Sequence, residues 1–278
     1  MKIFTSLEEM QKSDGPIALA IGMFDGLHLG HQHIIKSMRQ RVGNSGNVVI
    51  LTFANHPEEI LNNKKINLIY DSHSKLRLLE KENVDVTLLL KFTSEMAKME
   101  YDSFLSMLKE KIDFSYLFFG EVSSLGKEKK GTQENIINLS HKLQFEVIYL
   151  PFVEVNGNIV SSTCIRQAIN NKDFITANTL LGYPFTLFFQ ASKSSEFIKT
   201  PHVNILSMCM QNIIVPEGKY SVWVETEASE KFSALLSVKK NKLSLFYMKS
   251  FKLEDFTMSF DTIDNKDVFL CPTSPVVL

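Results

Sequence analysis

Short apolar runs alternate with amphipathic segments over the first part of the chain. Five of the runs are typical of buried strands: IALAI (17–21), NVVILTF (47–53), DVTLLL (85–90), YLFFG (116–120) and FEVIYL (145–150). Between them, apolar residues recur three or four positions apart, which predicts helices over 74–82, 101–112 and 132–143. Strands that alternate with helices favour βαβ units. This part is therefore predicted to be an α/β domain with a parallel sheet covered on both faces.

The pattern changes towards the end of the chain. Two short helices are predicted near 162–171 and 173–181, and the stretch LLGYPFTLFF follows them. Four later segments lack helical spacing and predict strands: KYSVWVETE (219–227), FSALLSVKK (232–240), KLSLFYMKSF (242–251) and FTMSFDTI (256–263). We therefore predict a boundary near residue 185, with domains over residues 1–185 and 186–278. The second is predicted to be a small all-β, barrel-like domain whose core takes Trp223, Phe232 and Phe246.

Composition narrows the class of protein. The 278 residues carry 30 basic and 31 acidic side chains, and 44% of the chain is hydrophobic. This balance argues against a general binder of nucleic acid or membrane surfaces, whose footprint is basic. Cys164, Cys209 and Cys271 are scattered, which indicates a reducing compartment. The start, MKIFTSLEEMQK, lacks the apolar core of a signal peptide, and no apolar run approaches the ~20 residues of a membrane span. We expect a cytoplasmic protein with no nucleic-acid or membrane partner.

The segment IGMFDGLHLGHQ (21–32) joins the first apolar run to a helical pattern. Its glycines Gly22, Gly26 and Gly30 recur every four residues. Glycine permits a positive φ and a close approach of the backbone to a ligand. A strand, a glycine-rich loop and a helix in this order direct backbone N–H groups and a helix N-terminus at one point, which favours an anion such as phosphate. The spacing differs from the dinucleotide and P-loop fingerprints.

Two histidines in this segment carry the candidate chemistry. His28 and His31 are three residues apart, so they share a face on the first turn of the predicted helix. Imidazoles placed there can donate hydrogen bonds to a phosphoryl group that gains charge. A zinc site that includes His33 is an alternative, but no cysteine or carboxylate pair stands nearby at ligand spacing.

The segment SSTCIRQAI (161–169) predicts a second anion site. Hydroxyls at the start of a helix cap its free N–H groups, and Arg166 follows one turn later. Hydroxyls, free N–H groups and a guanidinium that converge at a helix N-terminus are suited to a polyphosphate. The alternative is ordinary capping beside a surface arginine.

Together, G-x-F-D-G-x-H-x-G-H and S-S-T-x-I-R resemble the adenylyltransferase half of bacterial bifunctional riboflavin kinase/FAD synthetases, which are HxGH nucleotidyltransferases. The similarity continues through LTFANHPEEIL, SHSKLRLLEKENVDV, GKEKKGT and LLGYPFTL, and so covers the first 185 residues. The resemblance implies a Rossmann-like nucleotidyltransferase domain followed by a kinase-type β-barrel. It also implies an FMN adenylyltransferase that transfers AMP from ATP to FMN, giving FAD and pyrophosphate, with Mg²⁺ accompanying ATP.

The resemblance also implies roles for individual residues. The catalytic residues would be His28 and His31, at the α-phosphate, and Arg166, at the β- and γ-phosphates. The residues implied to bind nucleotide or flavin are Gly22, Phe24, Asp25, Gly26, Gly30, Asn55, His56, Ser161, Ser162 and Thr163. No side chain is predicted to ligate a metal. For Asn55 and His56, a simple turn before Pro57 is the alternative.

The sequence departs from the family at two places. Where the family has G-x-D/N-F-R-F-G, this chain has GEVSSLG (120–126), which puts FMN as the acceptor in doubt. In the second domain His202 stands in place of a threonine, and the 242–251 segment contains no acidic residue. We therefore predict a degenerate kinase domain. A fully bifunctional enzyme, a flavin- or nucleotide-binding pseudoenzyme and transfer to another phosphorylated acceptor are the alternatives.

Overall fold

The computed structural model describes residues 1–10, 14–189, 195–199, 204–209, 214–240, 242–248 and 256–260. It divides the chain into two compact units, Met1–Cys164 and Ile165–Leu278. Pro201 and His202, which bear on the predicted kinase site, and Cys271 lie outside the described residues. The boundary near residue 185 stays a prediction.

The first unit is built on a six-stranded parallel sheet. Its strands are β1 (Lys2–Phe4), β2 (Ile17–Ile21), β3 (Asn47–Phe53), β4 (Val86–Leu90), β5 (Tyr116–Gly120) and β6 (Glu146–Leu150). The strand order is β1-β4-β3-β2-β5-β6, so β2 and β3 are both central. A two-stranded hairpin follows, formed by β7 (Glu154–Val155) and β8 (Asn158–Ile159). The five predicted apolar runs correspond to β2 through β6.

The helices are α1 (Leu29–Val42), α2 (Pro57–Leu61), α3 (Ser72–Lys81), α4 (Ser94–Lys98), α5 (Tyr101–Ile112), α6 (Gln133–Leu143), α7 (Ser162–Asn170) and α8 (Phe174–Leu181). Helix α7 spans the division between the two units. Short 3-10 turns cover Leu7–Glu9 and Lys127–Lys129. None of the helices in the described ranges is long and apolar enough to cross a membrane.

Helices α2 and α4 were not anticipated from the sequence. Each has five residues, which is too short for a helical hydrophobic period to repeat. Each is instead stabilised by a capping side chain, because His56 Nδ1 accepts from the Glu58 N–H and Thr93 Oγ1 accepts from the Met96 N–H.

The core of the first unit lies between the sheet and its helices. Leu19, Leu51 and Leu117 of three adjacent strands are fully buried, and Leu105 and Leu108 of α5 pack in the same cluster. Burial of this face supplies the main driving force for the fold. It fixes the carboxyl edge of the sheet, where the motif-bearing loops emerge.

The second unit contains most of α7, all of α8 and an antiparallel sheet of seven described strands. They are β9 (Thr186–Phe189), β10 (Ser195–Lys199), β11 (Asn204–Cys209), β12 (Gly218–Thr226), β13 (Lys231–Lys239), β14 (Lys242–Tyr247) and β15 (Phe256–Phe260). Their order is β10-β11-β14-β13-β12-β15-β9. A parallel α/β sheet with its helices, followed along the chain by an antiparallel β-sheet, confirms the predicted fold class.

The prediction that Trp223 fills the core of this sheet was wrong. Tyr220, Val222 and Val224 of the same strand are buried, and Trp223 falls on the opposite face because side chains alternate along a strand. The Trp223 side chain is 41% exposed, and the Lys231 ammonium lies 5.6 Å from its ring centroid. Phe232 is buried as predicted.

Candidate active site

The loop that follows β2 and the first turn of α1 contain G-x-F-D-G-x-H-x-G-H (residues 22–31), called the first motif below. This motif lies at the carboxyl edge of the sheet, where ligands bind in parallel α/β folds. Positive φ was expected at its glycines. Gly26 does have φ +81°, but Phe24 (φ +49°) and Leu27 (φ +35°) are left-handed as well. Such strain in side-chain-bearing residues persists only where neighbouring contacts enforce it, and it is concentrated at functional sites.

Gly30 allows a close approach within the first turn of α1. A Cβ atom at this position would lie 3.2 Å from Cε1 and Nδ1 of His28. The glycine therefore leaves room for the His28 ring to lie against the helix.

The two motif histidines are stacked on each other. Their ring centroids are 3.7 Å apart with an interplanar angle of 18°, and the Phe24 ring lies 4.8 Å from that of His31. Burial, followed by the charges on His28 and Lys75, holds the pKa of His31 well below its usual value. Within the described residues, the buried Nδ1 of His31 has no hydrogen-bond partner. His31 is thus a neutral imidazole, with one N–H to donate.

Asp25 connects three distant segments of the chain. Its buried carboxylate accepts hydrogen bonds from the backbone N–H groups of Ile69 (2.9 Å) and Tyr70 (3.2 Å). Its backbone carbonyl accepts one from Ser162 Oγ (2.7 Å). These bonds place the start of α7 beside the loop that carries the first motif.

The N-terminus of α7 is capped by Ser161, the residue just before the helix. Ser161 Oγ accepts from the Cys164 N–H at 3.2 Å, and Thr163 is exposed. Arg166 follows on the same helix and belongs to the Ile165–Leu278 unit. The phosphate-binding roles of these residues stay predictions.

Asn55 and His56 have structural partners. The Asn55 amide forms two hydrogen bonds with the backbone of Phe92, donating to its carbonyl (3.0 Å) and accepting from its N–H (2.8 Å). His56 caps α2 through Nδ1, as described above. Asn55 therefore determines where Phe92 lies, and the predicted substrate contacts of both side chains stay predictions.

A mainly apolar cavity of about 350 Å³ opens at the same edge of the sheet. Its walls include Met23, Phe53, Phe92, Met96, Phe104 and Phe119. Ser123 and Ser124 also line it, at the positions where the family segment carries an aromatic residue and an arginine. A cavity of this size and character suits a planar aromatic ligand.

Lys75 was missed by the sequence reasoning. It lies on α3 with 2% exposure, and its ammonium donates to Met23 O, Thr52 Oγ1 and Phe53 O. Burial lowers its pKa to about 8, and Asp25 opposes this shift. A signal was present in the sequence, because Lys75, Leu78 and Leu79 share the helical spacing of a buried face.

A parallel α/β unit with a stacked histidine pair at the start of the helix that follows β2, at the carboxyl edge of the sheet, has the arrangement expected of a nucleotidyltransferase. The family model for FAD synthetase matches residues 10–164, which is more than half of the chain. The chain therefore belongs to the FAD synthetase family. This confirms the predicted enzyme class, a nucleotidyltransferase that makes FAD from FMN and ATP.

Similar proteins extend over both units. A bifunctional riboflavin kinase/FMN adenylyltransferase of Buchnera aphidicola subsp. Schizaphis graminum is 25% identical, over 97% of this chain and 89% of that protein. The protein of that name from Haemophilus influenzae is 28% identical, over 86% and 79% respectively. A crystal structure described as a macrolide-efflux protein from Streptococcus pneumoniae has a TM-score of 0.78 at 23% identity, covering 93% of this chain and 88% of that one. At this level of identity, the similarity to that structure shows a shared fold and nothing further.

Proposed function

We propose that FAD synthesis uses the histidine pair together with the apolar cavity, whose wall includes Gly22 and Met23 of the same loop. The stacked pair of His28 and His31 at the start of α1 is the observation that carries this proposal. Imidazole N–H groups at a helix N-terminus can donate hydrogen bonds to an α-phosphate as its charge grows. A phosphate oxygen of FMN forms a bond to the α-phosphorus of ATP. The bond from that phosphorus to the oxygen bridging to the β-phosphate breaks, and its electron pair leaves with pyrophosphate.

The cavity is proposed to hold the isoalloxazine ring of FMN. Its aromatic and methionine walls offer apolar contact area, and Ser123 and Ser124 add hydroxyls at one side. Because Met23 belongs to both the cavity wall and the first motif loop, a ring bound there would direct its ribityl phosphate towards the histidines. Asn55 supports this site indirectly, through the position of Phe92.

The start of α7 is proposed to bind the β- and γ-phosphates. Free N–H groups at a helix N-terminus attract anions, and Thr163 and Arg166 extend the polar surface of this helix. The Ser162 hydroxyl donates to Asp25, so Ser162 positions the helix start. The backbone of Gly22–Gly26, which Asp25 anchors, is proposed to shape the nucleotide pocket.

Mg²⁺ is proposed to enter as part of the ATP substrate. Over the described residues, no group of three or more His, Cys, Asp or Glu side chains could hold a metal ion. Mg²⁺ is commonly held by substrate phosphates with one or two carboxylates and water. Phosphate oxygens and water would thus supply most of its ligands. We further propose that the protein acts in the cytoplasm, which its scattered cysteines support.

A bifunctional enzyme is the second candidate function. It is favoured by the names of the relatives, one of which matches 97% of this chain. The segment 242–251, which includes β14, contains no acidic residue that could act as a base. We therefore propose adenylyl transfer as the main activity, with the second unit retained as a fold.

One assay tests these candidates together. The purified full chain is incubated with Mg-ATP and either FMN or riboflavin, and the flavins are separated by chromatography. FAD from FMN, without FMN from riboflavin, is the expected result. Absence of FAD at any enzyme concentration would instead favour a binding protein or another acceptor.

A further inference from the structure

Lys75 is a charged side chain inside the α/β unit, on the face of α3 that also buries Leu78 and Leu79. Lysine is almost never fully buried unless its charge is compensated. Burial of an ammonium group has a high cost in free energy unless hydrogen bonds replace its water. The position of Lys75 therefore calls for a physical explanation beyond the packing of α3.

The surroundings of Lys75 are suited to its protonated form. Its Nζ atom lies 3.1 Å from Met23 O, 2.9 Å from Thr52 Oγ1 and 2.8 Å from Phe53 O. The Thr52 hydroxyl itself donates to Met23 O at 2.9 Å, so it accepts from the lysine. Three acceptors require three N–H bonds, which an ammonium has and a neutral amine lacks.

The three acceptors lie where the central strands end. Thr52 and Phe53 are the last residues of β3, and Met23 lies two residues after β2. Carbonyl oxygens at this edge carry partial negative charge, which opposes the binding of anionic phosphates. The ammonium offsets that charge, and it ties Met23, which precedes the left-handed Phe24, to the end of β3.

Few ionisable groups act on Lys75 and His31. The Asp25 carboxylate favours the charged form of Lys75. Lys75 and His28 both disfavour a positive charge on His31. A fixed cation at Lys75 therefore leaves His31 as a neutral hydrogen-bond donor.

We propose that Lys75 is a positioning residue for adenylyl transfer, whose ammonium fixes the loop that carries the first motif to the end of β3 and places a positive charge close to His31. This inference rests on the proposed role of the histidine pair. Lys75 has no direct contact with substrate in this scheme. It acts through its hydrogen bond to the Met23 carbonyl and through its positive charge, which lowers the pKa of His31.

The test compares Lys75→Met, which removes the charge, with Lys75→Arg, which keeps it. Lys81→Met is the matched control, because Lys81 is an exposed lysine in the last turn of the same helix. For Lys75→Met we expect kcat to fall about 10- to 100-fold, as for other small misplacements of reacting groups. The KM for ATP should stay within about threefold, since the lost interaction acts on the transfer step. Lys75→Arg should recover part of the kcat, and Lys81→Met should match the wild type.

The dependence of kcat on pH separates positioning by charge from a purely structural role. The pKa of Lys75 is lowered to about 8, so the ammonium is lost, and kcat falls, as the pH rises through that value. Lys75→Arg should lack this alkaline fall because a guanidinium stays charged. The pKa of His31, followed by NMR without substrate, should rise in Lys75→Met and stay unchanged in Lys81→Met.

Thr52→Val covers the case in which Lys75→Met does not fold. This nearly isosteric change removes one acceptor from the ammonium, so the alkaline fall in kcat should move to lower pH. An unchanged profile in Thr52→Val, or a folded Lys75→Met with wild-type kcat and an unchanged His31 pKa, overturns the inference. If the wild type makes no FAD, the proposed function fails. The NMR measurement of the His31 pKa in Lys75→Met then still decides whether the charge of Lys75 lowers that pKa.

Discussion

The two units of this protein differ in what they bury. In the described ranges, the buried polar and charged side chains of the first unit are Asp25, His28, Thr52, Ser74, Lys75, Thr87 and Ser140. Among the described residues of the second unit, that set contains Thr226 alone. Buried polar groups have a cost in free energy unless they are paired, so their concentration in one unit marks where function constrains the fold.

The second unit has the pattern of a scaffold. Strand β13 alternates between exposed and buried positions along most of its length, as a sheet with one covered face requires. The buried positions are filled by residues such as Leu236 and Val238. The comparison teaches that a unit can keep the packing rules of its fold while its described strands bury very few polar groups.

The largest expected effect concerns the kinase reaction. The full chain should form FMN from riboflavin at a rate about 10²–10⁴ below its rate of FAD formation from FMN, because loss of a general base alone has an effect of that size. Chromatography of the flavins after timed incubation with Mg-ATP measures both rates.

A shortened chain provides the control for this prediction. Ended near residue 186, it should retain adenylyl transfer if it stays soluble. Rapid FMN production by the full chain, abolished by this truncation, would break the comparison and establish a bifunctional enzyme.

The histidine pair should show the next largest effect. We expect His28→Ala or His31→Ala to lower kcat by about 10²–10³ with little change in ATP binding, as for the loss of one donor to a developing charge. Steady-state kinetics and ATP titration measure the two quantities. His33→Ala is the control, because His33 is an exposed neighbour on the same helix. Equal FAD formation by the variants and the wild type would show that the stacked pair is structural.

Arg166→Ala should act mainly on substrate binding. A guanidinium on the β- and γ-phosphates contributes in the ground state and the transition state alike, so we expect the KM for ATP to rise about tenfold, in line with a charged hydrogen bond. The smaller effect expected on kcat distinguishes Arg166 from the histidines. If the KM for ATP is unchanged, Arg166 has another role.

The smallest expected effect is on stability in acid. The pKa of His31 is lowered by burial, so below the ordinary value of 6.5 the unfolded chain binds a proton that the folded chain does not. The free energy of unfolding should therefore decrease as the pH falls from about 6.5 towards the lowered pKa, by at most about 1.4 kcal/mol per pH unit for this group. Urea unfolding of the wild type and of His31→Gln at pH 7.5 and 5.5 measures the difference. A pH dependence unaffected by the substitution would exclude His31 as its source.

Much of the fold could be predicted from the sequence. The central strands are nearly continuous apolar runs, which is typical of buried strands. Helix α5 carries Phe104, Leu105, Leu108 and Ile112 at helical spacing, so the sequence distinguishes it from the strands. The five-residue helices α2 and α4 could not be predicted in this way, because capping side chains rather than periodicity stabilise them.

The candidate site was predictable where local spacing determines contact. His28 is the N-cap residue of α1 and His31 lies on its first turn, so their spacing of three residues brings the two rings together. The partners of Asn55 and Asp25 were not predictable, since each bond joins residues far apart in the chain. Trp223 could have been placed correctly, because the strand alternates and Trp223 shares its face with Ser221 and Glu225.

The bonds of Asp25 have a consequence for the order in which the protein is made. Its partners are Ile69, Tyr70 and Ser162, so its full set of bonds cannot form until the chain has been synthesised beyond residue 162. Domains commonly fold during synthesis, starting from the N-terminal side. The strands β1 to β6 can therefore assemble on the ribosome before the loop between β2 and α1 acquires its last anchor. A released chain that ends before α7 should contain a formed sheet in which Asp25 lacks its bond to Ser162.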